Sequence, residues 1–142
     1  MAARLILAER SGSWAKALRV ELAATGVRLW EAGPRPRLVD VMAVAPASFL
    51  VLELTGKNAS WTLDTLVALH RDWPNAGAAV VADRSMAAWE WLIREAGAVH
   101  FVTSPRKLGP LGNLVLRHLA QAPLPTQTLR ERLWASLPWS EV

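Results

Sequence analysis

The chain has 142 residues, a formal net charge of +4 and an apolar fraction of 52%, and it contains neither cysteine nor tyrosine. That length holds one ordinary core, and that apolarity argues against disorder. The missing cysteines exclude disulfides, thiolate metal sites and cysteine nucleophiles.

Strand signals are short, apolar and rich in β-branched residues or leucine, and helical patterns alternate with them. A first strand is expected over Arg4–Ala8, followed by a helix over Ser13–Thr25 with Trp14, Ala17, Leu18 and Leu22 on one face and Gly26 as its stop. Ser11 or Ser13 is the expected N-cap of that helix. A second strand over Val27–Glu31 leads through the Gly33-Pro-Arg-Pro36 break to a short helix over Arg37–Val44. The third strand, Phe49–Leu54, opens on a continuous apolar run that suits burial on both faces of a parallel sheet. A helix over Ser60–Asp72 then carries Leu63, Leu66, Val67 and His70, and ends before Pro74. The fourth strand spans Ala78–Ala82, and the fourth helix Ser85–Ala96, with Ala88, Trp89, Leu92 and Ile93, stops at Gly97. The fifth strand covers Val99–Thr103 and the fifth helix Lys107–Ala122, with Leu111, Leu114, Val115, Leu116 and Leu119.

Five strand–helix repeats with short loops predict an α/β fold: a flavodoxin-like, doubly wound parallel sheet of order 2-1-3-4-5. This unit occupies residues 1–122. Residues 123–142 form a tail that opens on Pro123-Leu-Pro125, with a capping box at Thr128-Leu-Arg-Glu131 and Pro138 as the stop of its helix. Leu129, Leu133, Trp134 and Leu137 fall at the spacing of a short amphipathic helix, which needs a surface to dock on.

The opening residues carry an apolar run of only four, short of a secretory core, and no stretch approaches the roughly 20 apolar residues of a membrane span. A cytoplasmic protein without membrane contact is expected. Thirteen of the sixteen cations are arginines spread along the whole chain, which argues against a dedicated nucleic-acid patch.

The segments Leu5-Ile-Leu-Ala-Glu9-Arg10, Phe49-Leu-Val-Leu-Glu53, Glu95-Ala-Gly97-Ala98 and Phe101-Val-Thr-Ser104-Pro105 resemble the receiver domain of bacterial two-component response regulators. The resemblance covers about Arg4–Leu119. It implies an acidic pair after the first strand, a phosphate-accepting Asp after the third, a Thr or Ser after the fourth, and a Lys before Pro after the fifth. In this chain those places fall on Glu9 and Arg10, Glu53, Ala82, and Ser104. A hard cation takes clustered carboxylate oxygens, and Arg10 sets a positive charge there instead. The resemblance thus implies a degenerate, non-phosphorylatable receiver that holds no cofactor and no metal, is not an enzyme, and acts in signalling by protein contact. A guanidinium–carboxylate pair between Arg10 and Glu53 is expected to replace the metal.

Eight tryptophans are many for this length, and Trp is enriched at interfaces. Trp89 and Trp91, two apart on one helix, cannot both face the core. The resemblance points to a contact face of fourth helix, fifth strand and fifth helix, with Trp91, Phe101, Arg106 and the tail's Trp134 as its residues and a homodimer or another protein as its partner. Two other readings stand beside it. One is a flavodoxin-like enzyme or small-ligand binder using Ser11, Thr55 and Ser104 at the strand ends. The other is a DNA-associated regulator using the basic surface. Gly56-Lys57 lacks both the earlier glycine and the following Ser or Thr of a P-loop, and His70, His100 and His118 lack metal-ligand spacing.

Overall fold

A computed structural model of the chain describes residues 3–123. The tail helix expected around Trp134 lies outside the described residues. The elements are β1 (Leu5–Ala8), α1 (Ser13–Glu21), β2 (Leu29–Glu31), α2 (Leu38–Val44), β3 (Phe49–Leu54), α3 (Ala59–Asp72), β4 (Gly77–Ala82), α4 (Glu90–Glu95), β5 (His100–Val102) and α5 (Gly109–Gln121). Short 3-10 turns at Arg84–Trp89 and Pro105–Lys107 precede α4 and α5.

The strands form one parallel sheet of order β2-β1-β3-β4-β5, as the alternating pattern predicts. β1 pairs with β2 on one side and with β3 on the other, so the order reverses at β1. Alternate strand residues feed two cores. Leu5, Leu7, Val51 and Val81 meet Leu18 of α1 and Leu111 and Val115 of α5. Ile6, Leu50, Leu52 and Val80 meet Met42 of α2, Leu66 and Leu69 of α3 and Ile93 of α4. Burial on both faces explains the unbroken apolar run of β3.

Several expected details are corrected. α1 ends at Glu21, four residues before the expected end, and a turn stapled by the Thr25 hydroxyl on the Leu22 carbonyl (2.7 Å) carries the chain to Gly26. The expected fourth helix is split, because its first half is a 3-10 turn with no buried residue. Ala88 and Leu92 are consequently exposed, and Ile93 is the residue of α4 that reaches the core. α3 is rolled so that Thr62, Thr65, Leu66 and Leu69 face the sheet, while Val67 and His70 are exposed.

The rolled α3 leaves the buried Thr62 hydroxyl with no hydrogen-bond partner. A buried, unpaired hydroxyl is a desolvation cost without return. Thr62→Val keeps the shape and removes the polar group. It is expected to raise the unfolding free energy by about 1 kcal/mol, read from the urea midpoint; a loss of stability would show that the hydroxyl is satisfied.

Candidate functional site

The C-terminal ends of β1 and β3 carry the residues singled out in the sequence. β1 ends at Ala8, and Glu9 follows it into the core edge, where only 9% of its surface remains exposed. Its carboxylate accepts hydrogen bonds from the backbone N–H of Trp14 (2.5 Å) and of Ala15 (3.0 Å), and from the Ser11 hydroxyl (3.4 Å). Those amides belong to the first turn of α1, where no intrahelical acceptor exists. A carboxylate there is also favoured by the helix dipole. Gly12, at φ 85°, is the N-cap position and supplies no side chain. Glu9 is therefore the main cap, with the Ser11 hydroxyl accepting more weakly from the Ser13 N–H at 3.4 Å, a correction that follows from the reach of a carboxylate arriving from the strand.

Arg10 points the chain outward. The expected guanidinium–carboxylate pair with Glu53 is not formed. The backbone N–H of Arg10 donates to Glu53 Oε1 at 3.2 Å, and the ion pairs among the described residues lie elsewhere, at Arg19–Glu31, Arg37–Asp40, Arg71–Asp72 and Arg94–Glu90. With the amide already beside Glu53, the long side chain of Arg10 is free to stay in solvent.

Glu53, half-buried near the end of β3, precedes a loop braced by Asn58. The Asn58 amide donates to the Glu53 carbonyl (2.6 Å), and its oxygen accepts from the Thr55 N–H (2.7 Å). This bridge, which the sequence reading missed, fixes where Glu53 begins its side chain. Ala82 is fully buried at the end of β4. The next residue, Asp83, accepts from the N–H (3.2 Å) and hydroxyl (2.8 Å) of Ser85, and the Ser85 hydroxyl foremost holds its carboxyl below the usual range. Ser104 caps the turn before α5 by accepting from the Arg106 N–H at 3.3 Å.

Glu53 separates two clefts. One, of about 760 Å³, lies among Ala8, Arg10, Pro34, Arg35 and Gly56-Lys57. The other, of about 360 Å³, lies among Trp14, Ala82, Asp83, Met86, Thr103 and Pro105. Of the small-ligand candidates, Thr55 lines both, whereas Ser11 and Ser104 are among the lining residues of neither.

The residues expected on a contact face are separated. Trp91 is 72% exposed on α4, beside the exposed Leu92, and Val99 is exposed just before β5. Trp89 is half-buried against the core, so the two tryptophans divide as their spacing requires. Phe101 is 8% exposed, set into the core with Ile93 and Leu69. It is thus not part of the exposed face, because β5 turns alternate side chains under α4. Arg106 is exposed on the turn before α5, and Trp134 lies outside the described residues. His100, half-buried in β5, is pushed below its ordinary pKa by burial first and by Arg94 next, against the pull of Glu90.

A divalent cation of the kind the fold family implies does not fit these side chains. Glu9 is spent on helix amides, Arg10 is a cation, and among the described residues no group of three or more His, Cys, Asp or Glu is placed to hold a metal.

No protein-family model matches the chain, and no curated protein matches it. Solved structures do. A CheY-like protein (tadZ) from Pseudomonas aeruginosa PAO1 superposes with a TM-score of 0.68 at 19% identity, covering 82% of this chain and 98% of that one. A response regulator from Thermotoga maritima gives 0.64 at 13% identity, covering 85% and 100%. The Mn2+-bound form of response regulator Rcp1 gives 0.54 at 15%, covering 87% and 99%. The chain has the receiver-like, CheY-like fold, as its motifs implied. Among the described residues no helix is long and apolar enough to cross a membrane.

If Glu9 works as the cap of α1, Glu9→Ala should destabilise the fold by about 1–2 kcal/mol in urea unfolding. Glu9→Gln, which keeps an acceptor oxygen but loses the charge, should cost less. Equal stability of Glu9→Ala and the parent would refute the capping role.

Proposed function

We propose that the chain is a receiver-like signalling domain that takes no phosphate at position 53 and acts through protein contact, as a domain and not as an enzyme. The observation that carries this reading is the state of the strand ends. The carboxylate after β1 is buried in a helix cap, its neighbour is a cation, and Glu53 accepts from a backbone amide. Phosphoryl transfer in this fold's phosphate-accepting form is expected to run through a divalent cation held by clustered carboxylates, and a group of three or more such ligands is not present among the described residues. The likeness to response regulators supports a place in signalling.

The contact face we assign is α4 with the start of β5, centred on Trp91. Trp91, exposed to 72%, stands next to the exposed Leu92 on α4, and Val99 is exposed just before β5; large apolar side chains left in solvent in this way mark interaction sites. A second copy of the chain is the occupant to test first, with the exposed Arg106 proposed as a further contact residue.

Two measurements decide the reading. Incubation with a small phosphodonor and Mg2+ should leave the protein unlabelled; stable label on Glu53 would overturn the proposal. Light scattering should show a dimer that Trp91→Ala dissociates, while its stability changes by no more than about 0.5 kcal/mol. A monomer at all concentrations, for the parent as for the variant, would remove the second copy as the partner.

A further inference from the structure

The larger cleft takes no part in a contact made through α4, and its chemistry has a distinct character. It opens at the point where the strand order reverses, between the ends of β1 and β3, the place where doubly wound sheets bind ligands. Pro34, Gly56 and the alkyl stems of its charged residues give the cleft apolar surface between polar tips. Three cations reach it from three loops: Arg10 after β1, Arg35 after β2, and Lys57 after β3. All three residues are exposed, and the ion pairs among the described residues use none of them.

The carboxylates at the cleft are already engaged. Glu9 is buried under the α1 amides, and Glu53 accepts the Arg10 N–H. The loops are also fixed in advance. The Ala32 N–H donates to the Leu7 carbonyl (2.9 Å), and the Glu9 N–H donates to the Gly33 carbonyl (3.2 Å). Pro34 and Pro36 stiffen the loop on either side of Arg35. Arg35 Nη2 donates to the Lys57 carbonyl at 3.0 Å and joins the second and third loops. A site assembled before the ligand arrives loses less ordering entropy on binding.

We propose that this cleft reversibly binds an aromatic phosphate of the nucleotide class, with the phosphate on Arg10, Arg35 and Lys57 and the ring against Pro34 and the alkyl stem of Arg35. A volume of about 760 Å³ suits a ligand of that size. Guanidinium groups match phosphate oxygens as a fork and also stack on flat rings, so one residue type serves both parts of such a ligand. The inference stands independently of the contact reading.

The test is calorimetric titration of the full chain with the ribonucleoside 5′-mono- and diphosphates and FMN, with the matching nucleosides, riboflavin and inorganic phosphate as controls. At least one nucleotide should bind with a Kd below about 1 mM and weaken as salt is raised. Its phosphate-free counterpart and inorganic phosphate should each bind at least about tenfold more weakly. Arg35→Gln and Lys57→Gln should each weaken binding about tenfold, whereas Glu53→Gln should strengthen it about threefold by removing a like charge. Amide resonances of Gly33 and Gly56 should move on titration. Should Arg35→Gln fail to fold, the exposed Lys57 decides alone. Absence of binding by every nucleotide, equal binding of nucleoside or inorganic phosphate, or unchanged affinity in Lys57→Gln would overturn the proposal.

Discussion

A buried carboxylate facing a helix start organises the top of this sheet. Glu9 leaves β1 at the edge of the core, where an unpaired charge would be prohibitive. The first turn of α1 presents N–H groups that the helix itself cannot satisfy. Each solves the other's problem, and the hydrogen bonds to Trp14 and Ala15 lock the β1–α1 connection. Gly12 permits the turn by taking a positive φ that other residues adopt at a cost. Once Glu9 is committed in this way, position 10 need not be acidic. It is filled by an arginine whose amide, not its side chain, reaches across to β3.

The consequences spread along the strand ends. Glu53 is half-buried, starts from a loop closed by Asn58, and forms a partition between two clefts. On one side stand the cations of the β1, β2 and β3 loops. On the other stand Asp83 and its partner Ser85. The contact patch proposed on α4 belongs to a split helix whose first half buries nothing. Because the 3-10 turn rotates the helical register, Ile93 enters the core while Trp91 and Leu92 are left outside. Proposed recognition by partners and proposed recognition of a small anion thus use different parts of one rigid sheet.

Much of the fold was legible in the sequence. The apolar run of β3 gave both its ends, and alternation of short strands with amphipathic helices gave the strand order, since right-handed crossovers leave few alternatives. Side-chain detail was less legible. α3 carries apolar groups on more than one side, so periodicity allowed several rolls, and the one found buries Thr62 and Thr65. The Arg10–Glu53 pair was inferred from the adjacency of β1 and β3, which is correct, but adjacency cannot distinguish a backbone amide from a guanidinium. The cap by Glu9 was hidden for a related reason. Local capping rules look within a few residues of the helix start, and a serine there was the nearer choice on paper.

Charge shows most clearly how spacing along the chain differs from spacing in the fold. Thirteen arginines dispersed over the sequence read as a solvated surface without a binding patch. A parallel sheet, however, delivers the residues after every strand to the same edge, whatever the length of chain between them. Arg10, Arg35 and Lys57 are about twenty-odd residues apart in sequence because that is the span of one strand–helix repeat, and the topology therefore gathers them at one cleft. Dispersal at the period of the repeat is thus concentration in space. In such a fold, cations are better counted by their phase within the repeat than by their density along the chain.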